Sequence, residues 1–264
     1  MNRIEQKFQE LKQQKRKAFI AFITAGDPDL SSTGKLVRAL EEAGVDIIEL
    51  GVPFSDPLAD GPIIQASYHR ALNHGTTVKK ILETVKRLRR TTSIPLALMS
   101  SYNPIFHFGE QKFIESCVEA GVDGLIVPDL PPEEAVKLRR LAREYDVATV
   151  FFVAPTSTDD RIKSNTMAAN GFVYYVSLTG TTGVQKAVAS AVIRHVRHIK
   201  RFTPKPVCVG FGISTPQQVR AIARAADGII VGSAIVKTIE AHRGRRDLLP
   251  SVKRYVSSLV KALR

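Results

Sequence analysis

The chain has 264 residues, of which 44% are hydrophobic and 24% are charged. This length suits one α/β barrel, and the apolar content argues against a disordered chain. No apolar run approaches the roughly 20 residues that a membrane helix needs. The charged segment 3–17 lacks the apolar core of a secretion signal. We therefore expect one domain over residues 1–264, in the cytoplasm and without membrane contact.

Lysines and arginines outnumber the acidic residues by 38 to 25, which gives a formal net charge of +13. So basic a chain raises the question of nucleic acid as a partner. The cations are spread along helical segments, however, and no nucleic-acid-binding motif accompanies them. A basic, solvent-facing shell is the better interpretation, and we expect no nucleic-acid partner.

The first predicted elements are a helix with Ile4, Phe8 and Leu11 on one face, placed to plug a barrel floor, and an apolar strand. The eight predicted strands are 18–24, 45–51, 94–100, 124–127, 148–154, 172–177, 207–210 and 228–231. Amphipathic stretches of helical period lie between them, such as 30–43, 133–145 and 216–225. Eight such units in this length favour a single (β/α)8 TIM barrel with an extra N-terminal helix over an open doubly wound sheet.

The second strand carries the first candidate catalytic residue, Glu49. Because strand residues alternate between faces, Glu49 is expected to share its face with Val45 and Ile47. A carboxylate on an apolar stripe is poor packing. If the stripe faces the lumen, Glu49 looks into the mouth of the barrel. The alternative places Glu49 on the helix side, paired with a cation.

The loop 53–62 after this strand carries the second candidate, Asp60. Three prolines stiffen the loop and Gly61 allows a tight turn, so Asp60 can be held close to Glu49. Two carboxyl groups at one mouth offer a general base and a hydrogen-bond acceptor. The alternative is that Asp60 only caps the helix that begins near Ile63.

The last three strands each lead into a glycine-containing turn, at 180–183, 210–214 and 232–234. Such turns expose backbone N–H groups, and a helix N-terminus adds positive potential, which together suit a phosphate dianion. Barrels often bind phosphate after strands seven and eight. We therefore predict a phosphate site there.

Several chemistries are excluded. No lysine ends a strand, which disfavours a Schiff-base aldolase. The six histidines lie outside the strands and form no ligand cluster, so we expect no metal. What remains is acid–base chemistry on a phosphorylated substrate, in an apolar pocket that would accept a flat ring. The expected pocket residues are Phe22, Ile64, Tyr102, Tyr174 and Phe211.

The segment 49–62, ELGVPFSDPLADGP, closely resembles the signature of the tryptophan synthase alpha chain family. Further matches at 23–28, 102–104, 128–131, 210–214 and 232–236 extend the resemblance over the whole chain. It implies retro-aldol cleavage of indole-3-glycerol phosphate to indole and glyceraldehyde 3-phosphate, with no cofactor in this chain. Glu49 matches the acid–base carboxylate of the family, and Asp60 the carboxylate that binds the indole N–H.

The resemblance also implies roles for other residues. Thr182 matches the threonine of a mobile loop after strand six, and Phe22, Tyr174 and Phe211 match pocket positions. The matching phosphate positions are Gly183, Gly212, Gly232 and Ser233. The chain departs from the family at Thr181, where valine is usual, and at Ser100 and Ser101, where bulkier residues are common.

The family further implies a pyridoxal-phosphate beta chain that receives indole, in an α2β2 assembly. The predicted interface lies on the two loops after strands two and three. Its residues are Pro53, Asp56, Pro57, Asn103, Pro104 and Phe108. A stand-alone indole-3-glycerol phosphate lyase stays open as an alternative. The 49–61 signature argues against a sugar-phosphate isomerase, and the presence of both acids argues against a non-catalytic regulatory barrel.

Overall fold

The computed structural model describes residues 1–176, 185–210 and 212–264. In these residues eight parallel strands form a closed barrel in chain order. The strands are β1 Ala18–Thr24, β2 Ile47–Gly51, β3 Leu96–Met99, β4 Gly124–Ile126, β5 Ala148–Val153, β6 Val173–Val176, β7 Val207–Gly210 and β8 Gly228–Val231. Pairing of β1 with β8, with Ala18 opposite Gly228, closes the barrel. The predicted TIM barrel is confirmed.

Twelve helices surround the barrel or close its ends in the same residues. They are α1 Arg3–Gln13, α2 Leu30–Glu42, α3 Pro62–Asn73, α4 Val78–Leu88, α5 Tyr102–Phe108, α6 Glu110–Ala120, α7 Val136–Glu144, α8 Asp159–Ala168, α9 Gln185–Ile199, α10 Pro216–Ala223, α11 Ser233–Ala241 and α12 Leu248–Leu263. No helix in the described ranges is both long and apolar enough to cross a membrane.

Local sequence explains where the helices begin. Asp29 precedes α2 and its side chain accepts a hydrogen bond from the backbone N–H of Ser32. Thr215 precedes α10 and forms a reciprocal capping box with Gln218, with Pro216 as the first helical residue. These residues satisfy N–H groups that have no partner within the first turn of a helix.

The apolar core has two layers. The larger lies between the sheet and the surrounding helices. The smaller fills the lumen and includes Ile20, Ile47 and Ile230 from the strands, together with Ile4 and Phe8 of α1. Gly124 makes room for α1, because a Cβ atom there would lie 2.7 Å from the Cδ1 atom of Ile4. As predicted, α1 closes the amino end of the barrel.

Several strand boundaries differ from the sequence prediction, and two strands begin two residues later than predicted. Strand β2 begins at Ile47, and Val45 packs in the outer layer rather than on the face of Glu49. Strand β3 begins at Leu96 because Pro95 has no N–H to donate. Glu49 therefore shares its face with Ile47, as predicted, but not with Val45.

Candidate active site

Glu49 lies in the middle of β2, with Phe22 of β1 and Ala97 of β3 as its register partners. Its side chain is fully buried, and neither carboxyl oxygen has a hydrogen-bond partner in the described part of the chain. This burial raises the pKa of Glu49 to about 8. Such a carboxyl group holds a proton at neutral pH and can exchange it with a reacting group. The alternative of an ion pair on the helix side is wrong.

Asp60 is half-buried at the end of the loop after β2. Its backbone is fixed, because its N–H donates to the carbonyl of Pro57 and its carbonyl accepts from Nε2 of Gln65 at 2.8 Å. Helix α3 has Gly61 as its N-cap and no side-chain cap, so the interpretation of Asp60 as a cap is wrong. Burial, with a smaller effect of the Asp129 carboxylate, raises the pKa of Asp60 to about 6.

Two buried phenols face these acids. Burial raises the pKa values of Tyr68 and Tyr174, and the carboxylates of Glu49 and Asp60 raise both further. Gly51 leaves space for the rings: a Cβ atom there would lie 2.5 Å from Cζ of Phe22 and 3.1 Å from Cε1 of Tyr68. Tyr68 was not predicted as a site residue, although its position one helical turn after Ile64 was an available signal.

A cavity of about 510 Å³ opens beside these groups, at the carboxyl ends of the strands. Its lining residues form two sets. One set is mostly apolar, and the other comes from the segments that follow β7 and β8. The apolar set includes Phe22, Ile64, Met99, Phe152, Tyr174 and Ile230. The loop set includes Gly212, Ser214, Gly232 and Ser233. The cavity thus offers a surface for a flat apolar ring and a set of backbone donors.

The backbone after β7 and β8 is suited to an anion. Gly212 has φ +72°, a left-handed conformation that glycine adopts without strain. The first helical hydrogen bonds of α11 are donated by Ile235 and Val236 to the carbonyl of Gly232. The helix therefore makes no use of the N–H groups of Ser233 and Ala234, and its N-terminal dipole adds positive potential.

The structure brings together most, but not all, of the predicted pocket residues. Phe22, Ile64 and Tyr174 line the cavity together with Asp60. Tyr102 does not line it, because it opens α5 and its hydroxyl group donates to Glu110 at 3.2 Å. Four residues with predicted roles lie outside the described residues: Thr181, Thr182, Gly183 and Phe211. Four further lining residues were not predicted: Met99, Phe152, Ile230 and Lys237.

The predicted partner surface is only partly exposed. Asp56 and Asn103 are exposed, and Pro104 and Phe108 are half-buried. Pro53 and Pro57 are buried, which contradicts their assignment to an exposed surface. These prolines form the inner side of the loop after β2. The exposed large apolar side chains on the two segments are Leu58, 87% exposed, and Phe106, 66% exposed, and neither was predicted.

Comparison with known proteins agrees with this geometry. A sequence model of the family described as tryptophan synthase alpha chain matches residues 8–264. The chain is 50% identical over 259 residues to a tryptophan synthase alpha chain from Geotalea daltonii, with 98% of each chain covered. A relative of the same description from Caldanaerobacter subterraneus is 48% identical over 263 residues, with 100% of both chains covered.

Solved structures with the same architecture point to the same family. Tryptophan synthase subunit alpha from Legionella pneumophila superposes with a TM-score of 0.93 at 37% identity, covering 100% of this chain and 98% of that chain. A tryptophan synthase structure from M. tuberculosis gives 0.90 at 32% identity, covering 100% and 99%. On sequence, fold and site geometry together, the chain belongs to the tryptophan synthase alpha chain family.

Proposed function

We propose that Glu49 and Asp60 cleave indole-3-glycerol phosphate in this cavity, releasing indole and glyceraldehyde 3-phosphate. As a member of its family, the chain is a carbon–carbon lyase of tryptophan biosynthesis. The observation that carries the assignment of roles is the carboxyl group of Glu49, buried without a partner on the lumen face of β2. A fold maintains so unfavourable a group where chemistry requires it.

The pKa values fit a proton shuttle. With a pKa of about 8, Glu49 is protonated at neutral pH and can donate its proton to the indole ring carbon that bears the side chain. The resulting carboxylate takes the proton of the adjacent hydroxyl group. That C–O bond becomes a carbonyl, the C–C bond breaks, and its electron pair restores the aromatic ring. Glu49 is protonated again at the end.

Asp60 supplies the second charge. With a pKa of about 6, it is mostly ionised at neutral pH, so it accepts a hydrogen bond from the ring N–H. Protonation of the ring carbon places positive charge on that nitrogen. A fixed anion beside the nitrogen stabilises this charge more in the transition state than in the ground state.

The two sets of lining residues divide the substrate between them. The indole ring fits against Phe22, Ile64 and Tyr174, which are apolar and close to both acids. The phosphate fits at Gly212, Gly232 and Ser233, where α11 begins and its N-terminus favours an anion. This arrangement would place the C–C bond between the ring and the phosphate, within reach of Glu49.

The proposed partner is a pyridoxal-phosphate-dependent beta chain in an α2β2 assembly, in the cytoplasm. The cofactor belongs to that partner, and the acid–base steps in this chain do not use it. The docking face is formed by the loop after β2 and by α5, where Asp56, Leu58, Asn103 and Phe106 are exposed. Exposed apolar side chains of this size often mark an interface.

The test is indole release from indole-3-glycerol phosphate, measured with the purified chain and with added beta chain. We expect slow release by the isolated chain and faster release when the beta chain is added. Fast release that does not respond to a beta chain would identify a stand-alone lyase. No release under either condition would contradict the roles given to Glu49 and Asp60.

A further inference from the structure

Among the cavity-lining residues that the structure describes, two carry a formal charge: Asp60 and Lys237. Lys237 lies on α11, four residues after Ser233, where the helix begins. Residues four apart share one face of a helix, and helical side chains point back toward the N-terminus. The Lys237 side chain is therefore directed along the turn that carries Gly232 and Ser233.

The ammonium group of Lys237 is available to a ligand. It forms neither a hydrogen bond nor an ion pair with any described residue, and the residue is exposed at the cavity. The acid nearest to it in sequence, Glu240, instead binds Arg70 at 2.8 Å. A lysine that contributes only to a solvated surface has no reason to line a cavity otherwise formed largely by apolar and small residues.

The charge of the substrate favours such a group. A phosphate monoester carries a charge of about −1.5 to −2 at neutral pH. Backbone N–H groups and a helix N-terminus supply partial charge only, about +0.5 for the whole helix end. Asp60 adds negative charge to the same cavity. The backbone site alone leaves the bound phosphate without a full counter-charge.

We propose that Lys237 is a substrate-binding residue that pairs with the phosphate group and thereby selects a dianionic ligand. This inference rests on the proposed phosphate site after β7 and β8. The backbone donors fix the position of the phosphate, and Lys237 supplies the full positive charge. Because the ammonium group stays exposed to solvent, the pairing is expected to weaken with added salt.

The experiment is calorimetric titration of glycerol 3-phosphate into the wild type, Lys237→Met and Lys237→Arg, at low and at high salt. We expect Lys237→Met to bind roughly tenfold more weakly at low salt, as for loss of one charge-assisted hydrogen bond. High salt should reduce the difference between the wild type and this variant. Lys237→Arg should restore most of the affinity, whereas a purely structural role would not produce this dependence on salt and charge.

Lys261→Met is the matched control, because it removes one positive charge from an exposed position on α12, away from the cavity. It should bind glycerol 3-phosphate as the wild type does, and indole binding should be the same in all four proteins. Equal glycerol 3-phosphate affinity in the wild type and Lys237→Met would overturn the role of Lys237 alone. Failure of the wild type to bind glycerol 3-phosphate would overturn the proposed phosphate site as well.

Discussion

Burial of the Glu49 carboxyl group serves the proposed chemistry and also affects the stability of the fold. In an unfolded chain its pKa lies near 4.5, and in the folded chain burial raises the pKa to about 8. Between these values the folded state binds more protons than the unfolded state, so the free energy of unfolding falls as pH rises. The slope approaches about 1.4 kcal/mol per pH unit for one group.

Replacing Glu49 by glutamine should therefore separate activity from stability. The amide keeps the shape of the side chain but carries no exchangeable acid proton, so indole release should fall by about 100- to 10,000-fold. Urea unfolding should show a higher free energy of unfolding than the wild type at pH 8 and a smaller difference near pH 5. Near-normal turnover in Glu49→Gln would remove this residue from the mechanism.

Asp60 makes a second prediction, about the pH profile of indole release. Activity should fall as pH drops through about 6, where Asp60 becomes protonated, and as pH rises through about 8, where Glu49 loses its proton. Asp60→Asn should lower kcat/KM and abolish the acid limb, since the amide cannot neutralise charge at the ring nitrogen. Binding of glycerol 3-phosphate should persist. Loss of that binding as well would indicate that Asp60 only shapes the loop.

Arg70 connects α3, beside the apolar pocket, with α11, at the proposed phosphate site. It projects from α3, and its guanidinium group donates to both carboxyl oxygens of Asp27, at 2.9 and 2.8 Å, and to Glu240 of α11 at 2.8 Å. Asp27 is 2% exposed. These hydrogen bonds tie α3, which carries the pocket residue Ile64, to α11, which begins at the proposed phosphate site.

Removal of Arg70 should destabilise the fold strongly. Arg70→Ala leaves the buried Asp27 carboxylate without its cation, which costs about 3–5 kcal/mol when such a pair is broken. The comparison is Arg161→Ala, which breaks the exposed pair with Glu133 and should change the free energy of unfolding by about 0–1 kcal/mol. Urea unfolding of both variants measures the difference, and similar small losses would show that Arg70 has no such role.

Sequence patterns predict the positions of strands and helices better than the directions of side chains in the connections between them. The period of apolar residues located all eight strands, and α1 was correctly placed at the barrel floor, because buried faces have a fixed repeat. Side-chain direction in the connections depends on contacts far away in sequence. The backbone N–H of Tyr102 is held by Asp129 at 2.9 Å, which starts α5 at this residue and leaves its ring outside the cavity. No local pattern contains that contact.

The protein carries its proposed catalytic groups and its proposed docking face at one end of the barrel. Asp56 is exposed there, an acidic residue in a chain with net charge +13. Complementary charge across an interface affects how partners meet and align. Asp56 is therefore a good position at which to separate partner recognition from chemistry.

Asp56→Ala should lose stimulation by the beta chain while indole release by the isolated chain persists. Glu119→Ala is the control, because it removes an exposed acid near the end of α6. Titration of beta chain into the lyase assay gives the stimulation curve for each variant. If Asp56→Ala responds as fully as Glu119→Ala does, the docking face does not depend on Asp56.

The packing of α1 into the amino end of the barrel has a consequence for the order of events in one turnover. Ile4, Phe8 and Leu11 fill that end together with the lumen side chains, and the residues described around the cavity lie toward the carboxyl ends of the strands. We therefore expect substrate to enter, and both products to leave, through the end that the proposed partner covers. A docked partner would give indole a route forward while obstructing the triose phosphate. Release would then be ordered, with indole first and the phosphorylated product leaving only when the opening is uncovered.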